Sequence, residues 1–152
     1  MKKLVGVLLI LVVSVFGFSC KKSSKDTPDI KPPVFSTFDA PAAAQVYSAP
    51  GGKILLKTTA TDDRALKSLV VKIAYKPTTP IAVIKSTTGL DDAWTQDDIT
   101  ITLSGASQVI DNQQIFGDLA GTFKSGTYTI TLILTDQADL ATTKTVDVQL
   151  IF

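Results

Sequence analysis

Gly126-Thr127-Tyr128-Thr129-Ile130-Thr131-Leu132-Ile133-Leu134-Thr135 places Tyr128, Ile130, Leu132 and Leu134 at every second position. Side chains two apart share one face of a β-strand, whereas a helix would scatter them around its axis. The residues between them are mostly threonine, which suits a pleated, half-buried surface. The segment therefore reads as a strand with one buried face. Beyond it, Asp136-Gln137-Ala138-Asp139 carries turn chemistry, and Thr143 to Phe152 resumes the period of two with Val146, Val148, Leu150 and Phe152 on one side. Two such runs joined by a short turn make a hairpin.

Upstream, the same period recurs in short pieces. Gln45 to Ser48 reads as a first strand, Lys53 to Thr61 as a second, and Leu66 to Lys76 as a third with Leu69, Val71 and Ile73 aligned. Ile81 to Lys85, Ile99 to Leu103 and Gln108 to Phe116 follow, the last as a strand or irregular edge. Turns or loops separate them at Pro50-Gly51-Gly52, Asp62 to Ala65, Pro77 to Pro80 and Ser86 to Asp98. All 14 acidic residues are aspartate. Aspartate favours turns where glutamate favours helices, and no long stretch beyond residue 20 has helical apolar spacing. The expectation is an all-β domain over residues 34–152, a sandwich of seven to eight mostly antiparallel strands.

Thr59-Ala60-Thr61-Asp62-Asp63 followed by Leu66 to Ile73 resembles the second and third strands of immunoglobulin-like and cadherin-like bacterial domains. Gly126 to Asp136 with Thr142 to Ile151 is similar to their last hairpin. The resemblance covers about half of the domain and implies an immunoglobulin-like β-sandwich. It is specific for fold rather than for activity. The family often has Gly-Asn in the last turn, where this chain has Ala138-Asp139-Leu140.

The N-terminus has a different character. Lys2 and Lys3 precede an uncharged apolar run from Leu4 to Phe18. A basic region before a short apolar one is the pattern of a secretory signal peptide, and the run falls short of the about 20 residues a membrane span needs. Ser19-Cys20-Lys21-Lys22 resembles a bacterial lipobox of the Bacteroidetes type, although Gly17 and Phe18 depart from the usual residues. The resemblance implies cleavage after residue 19, acylation of Cys20 (palmitate among the chains) and anchorage to the outer membrane. Each buried methylene of such chains contributes about 0.8 kcal/mol. Lys21 to Pro33, reading KKSSKDTPDIKPP, is polar and proline-rich. It reads as a flexible tether over residues 20–33.

The chemistry open to the domain is narrow. Histidine is absent and Cys20 is the single cysteine, which excludes Ser-His-Asp and Cys-His catalysis and zinc sites built on histidine or cysteine. Residues 34–152 hold 9 basic and 12 acidic residues, so the domain lacks the basic footprint that nucleic acid requires. No catalytic residue is assigned, and no cofactor is expected other than calcium. The calcium candidates are Asp62, Asp63, Asp136 and Asp139, on two loops that share one end of an immunoglobulin-like sandwich. Aspartates at strand ends also accept backbone N–H bonds, which is the alternative role for all four. Trp94, flanked by Asp91, Asp92, Asp97 and Asp98, is the candidate ligand-binding residue, with Tyr47 and Tyr75 as further aromatic candidates for stacking on a sugar. Paired acids can also run glycoside hydrolysis when held about 5–9 Å apart. The functional expectation is a non-catalytic, lipid-anchored envelope module that binds a protein partner. A carbohydrate-binding module is the alternative, and an aspartate-based glycosidase is the third reading.

Overall fold

The computed structural model describes residues 28–77, 92–117, 119 and 123–151. The expected signal peptide, Cys20, the strand at Ile81 to Lys85, Asp91 and Phe152 lie outside them. The described residues form eight strands in two sheets: β1 (Val34–Ala40), β2 (Val46–Ser48), β3 (Ile54–Thr61), β4 (Leu66–Tyr75), β5 (Ile99–Thr102), β6 (Ser107–Phe116), β7 (Gly126–Asp136) and β8 (Ala141–Ile151). One sheet has the order β1-β3-β6 and the other β2-β8-β7-β4-β5. All pairings are antiparallel except that of β2 with β8, which is parallel. The described residues form an all-β sandwich.

The core follows from the period of two. Tyr128, Ile130, Leu132 and Leu134 of β7 are fully buried, as are Leu69 and Val71 of β4 and Val148 and Leu150 of β8. They pack in one cluster with Ile54, Leu56 and Ala60 of β3 and Ile110 and Phe116 of β6. Burial of each large aliphatic side chain contributes about 1.5–3 kcal/mol, so the alternation in β7 alone is a large part of what drives the sheets together. Tyr128 also carries a polar end. Its hydroxyl donates to the Lys124 carbonyl at 2.7 Å and accepts the Trp94 backbone N–H at 3.0 Å. Burial pushes this phenol above its ordinary value of 10.0, against the opposing effect of the Trp94 bond.

The chain has a strand ahead of the expected first one. β1 pairs with β3 through two register shifts, and Phe35 and Phe38, three residues apart, both pack on the core. A shifted register breaks the period of two, which conceals the strand in the sequence. After β1 the chain crosses to the other sheet. Ala44 takes a left-handed φ of 60° and donates its N–H to the Asp147 carbonyl at 2.8 Å, which steers β2 alongside β8.

Asp147, half-exposed on β8, accepts from the Lys76 ammonium at 2.5 Å and the Thr129 hydroxyl at 2.7 Å. Lys76 first and Thr129 second hold this carboxyl below its ordinary value of 3.8. A depressed folded-state value means that the contribution is present above the unfolded value and lost as pH falls through the folded one. Lys76→Met is expected to raise the Asp147 titration midpoint and flatten the acid limb of the stability–pH curve below about pH 4. Carboxyl chemical shifts followed through an acid titration check this.

Candidate functional site at the tether end

Three segments meet at one end of the sandwich: residues 28–33, the loop from Asp62 to Ala65, and the turn from Asp136 to Leu140. Gln137 ties the two loops together. Its backbone N–H donates to the Ala65 carbonyl at 3.0 Å, and its side-chain amide to the Leu66 carbonyl at 3.2 Å. The segment before β1 is bound as well. Pro33 is buried, and its carbonyl accepts the Thr142 hydroxyl at 2.5 Å. The Asp29 side chain is only 7% exposed. The last residues of the expected tether thus lie on the sandwich, and the packed boundary of the domain falls upstream of Val34.

The carboxylates expected at this end divide into two groups. Asp62 and Asp136 come together, and Asp29 joins them. One carboxylate oxygen of each lies within 4.8 Å of the other two. Asp63 and Asp139 stand outside this group. Asp63 faces Lys31 at 3.4 Å, and Asp139 pairs with the Lys67 ammonium. Both pairs are exposed to water and contribute little to stability.

Each member of the cluster is held by local backbone. Asp29 Oδ1 accepts the Lys31 N–H at 3.2 Å, and Asp62 Oδ2 accepts the Arg64 N–H at 2.8 Å. Asp136 is fully buried, and its Oδ1 accepts the N–H groups of Ala138 at 2.8 Å and Leu140 at 2.9 Å. Asp139 closes this turn in the left-handed region, with φ 65°. Aspartate tolerates that conformation, which is how the turn forms without Gly-Asn. Two oxygens remain without a hydrogen-bond partner, Asp62 Oδ1 and Asp136 Oδ2, and both are shut off from solvent. The Arg64 Nε lies 3.9 Å from Asp29 Oδ2 and is a partial counter-charge.

Three carboxylates whose oxygens lie within 4.8 Å of one another concentrate acidic groups where the protein screens charge less than water does. With one guanidinium at their margin, the cluster attracts positive charge to its centre. Its chemistry is that of a hard cation site.

The chain shows no match to any protein-family model, characterised protein or solved structure with which it was compared. Its function is therefore argued from its own residues.

The aromatic candidates are placed differently from a flat platform. Trp94 is half-buried and stands edge-on to Phe116, with ring centroids 5.8 Å apart at 87°. Tyr47 is buried. Tyr75 stands edge-on to Tyr128 at 5.3 Å, and the Lys124 ammonium covers its ring at 4.7 Å. Asp98 pairs with Lys72 at 2.6 Å, while Asp92 and Asp97 are exposed. Asp29 is the site residue that sequence reasoning missed. The signal available for it was Pro32-Pro33, which stiffens the approach to a strand.

Proposed function

We propose that this protein is a lipid-anchored, non-catalytic envelope module whose immunoglobulin-like sandwich binds a protein partner along the β6 edge. The observation that carries this reading is the edge itself. β6 runs for ten residues at the margin of its sheet, and among the described residues its outer edge has no partner strand. Val109 is 68% exposed there. The other edge strands are less suited. β2 has three residues, β5 four and β1 seven. On β6 the register shifts against β3 fall beyond Ile110, so Ser107 to Ile110 is the regular stretch. An open edge is a template for an added strand, with backbone bonds supplying affinity and alternate side chains specificity.

The immunoglobulin-like assignment is supported by the strand order, in which the first strand is divided between the two sheets and its second part runs parallel to the last strand. The lipid anchor is supported by Ser19-Cys20-Lys21-Lys22.

Two measurements test the reading. A photo-crosslinking residue at position 109 is expected to trap a discrete protein adduct in intact cells, while the same residue at Thr131, which β4 and β8 flank on both sides, traps none. Cys20→Ala is expected to abolish labelling by radioactive palmitate and release the chain from the membrane fraction. Equal crosslinking at both positions would refute the edge, and retained labelling would refute the anchor.

A further inference from the structure

We propose that Asp29, Asp62 and Asp136 bind a calcium ion that locks the tether onto the end of the sandwich. This goes beyond the partner-binding reading and does not depend on the β6 edge. The ligand set also differs from the pair of loops the sequence suggested, because its third member comes from the segment that leads to the membrane.

Three observations carry the assignment. The first is distance. Oxygens that share one calcium ion lie 2.3–2.6 Å from it and so at most about 5 Å apart, and the three carboxylates meet that limit at 4.8 Å. The second is the unused acceptor on Asp136. This side chain is fully buried, its Oδ1 is committed to the turn, and its Oδ2 has no partner. Asp62 repeats the pattern, with Oδ2 committed to Arg64 and Oδ1 without a partner. A buried acceptor left unmade is costly, and two of them within one acidic cluster share a single remedy in a cation. The third is rigidity. Each carboxylate has one oxygen fixed by a backbone N–H, so the group is held in place before an ion arrives.

The donors select the ion. Every ligand is a hard oxygen, which excludes soft metals. The ligands sit on three separate backbone segments and include no ordered octahedral set, which favours calcium over the smaller and more demanding magnesium. The consequence is mechanical. With calcium bound, the tether from residue 29 onward belongs to the domain, and the sandwich takes a defined orientation to the membrane. Without it, the docked segment keeps the buried Pro33 and the Thr142 bond but loses its outer fastening.

The test uses the full chain in detergent, stripped of divalent ions. Titration calorimetry with calcium chloride is expected to show one saturable site per chain, with magnesium binding far more weakly. Asp29→Asn and Asp62→Asn are each expected to weaken calcium binding about ten-fold or more, since affinity follows ligand charge. Asp63→Asn and Asp139→Asn, exposed and paired elsewhere, are expected to change it by less than about three-fold. Amide exchange at Asp29 to Lys31 is expected to slow on adding calcium in the parent chain and not in Asp29→Asn. Asp29→Asn alters a residue outside the strands, so the measurement survives if the Asp62 variant fails to fold. Absence of calcium binding up to about 10 mM, above the range of extracellular modules, would overturn the proposal and leave Arg64 as the counter-charge. Magnesium binding equal to calcium, or calcium binding undiminished in Asp29→Asn, would overturn it too.

Discussion

Asp136→Ala is expected to lower the unfolding free energy by about 1–3 kcal/mol, the cost of two part-buried backbone donors losing a shared acceptor. The N–H groups of Ala138 and Leu140 both converge on Asp136 Oδ1. Alanine leaves them facing a fully buried site in the turn that sets the β7–β8 register. Asp136→Asn keeps an oxygen at that position and is expected to recover most of the loss. It also removes one negative charge from the cluster with Asp29 and Asp62, which favours the apo protein. Urea denaturation in chelator is the measurement. A cost for alanine no greater than for asparagine would show that the turn does not depend on this oxygen. The comparison isolates the turn, because both variants remove the charge and only asparagine keeps an oxygen for the two N–H groups.

Tyr128→Ala is expected to cost about 3–5 kcal/mol, the range for emptying a large aromatic site in a core. The ring lies between the sheets with Tyr75 and Phe123 edge-on to it. Tyr128→Phe keeps the ring and removes only the bridge between the Lys124 carbonyl and the Trp94 N–H, at a cost of about 1–2 kcal/mol. The two variants are also distinguished optically. Trp94 is the single tryptophan, so a change in its fluorescence on Tyr128→Phe reports directly on the loop that this hydroxyl holds. Unchanged emission would mean that the contact with Phe116 alone positions Trp94. A loop held at both its backbone and its ring serves as a cover for the core.

The strands with a buried face were legible because burial on one side imposes a period of two, and the chemistry of each side chain records it. β7 is the clearest case, and β3, β4 and β8 follow within a residue or two of the expected bounds. β1 was not legible. Its register shifts place Phe35 and Phe38 on the same side, and a pattern of three over seven residues resembles neither a strand nor a helix. The tether boundary was hidden for a related reason. Residues 28–33 are as polar and proline-rich as a free linker, and their composition carries no trace of the Thr142 hydroxyl that holds Pro33.

The acidic site shows the same division. That the loops after β3 and β7 share one end was an expectation resting on the resemblance to an immunoglobulin-like sandwich, and in the structure Asp62 and Asp136 lie there together. The choice between neighbours had no such basis. Asp62 and Asp63 are chemically identical, and one turns inward while the other faces Lys31. Asp136 is buried and Asp139 is exposed, yet both belong to one four-residue turn. Asp29 enters from a segment 33 residues ahead of Asp62. By itself the sequence determined that the chain is all-β, that histidine and thiol chemistry are closed to its domain, and that aspartates gather in its turns, since these depend on composition and local period. Which carboxylate is buried, which is paired and which are brought within 4.8 Å of one another was decided only by tertiary structure, because those outcomes depend on side-chain direction and long-range packing that no local pattern encodes.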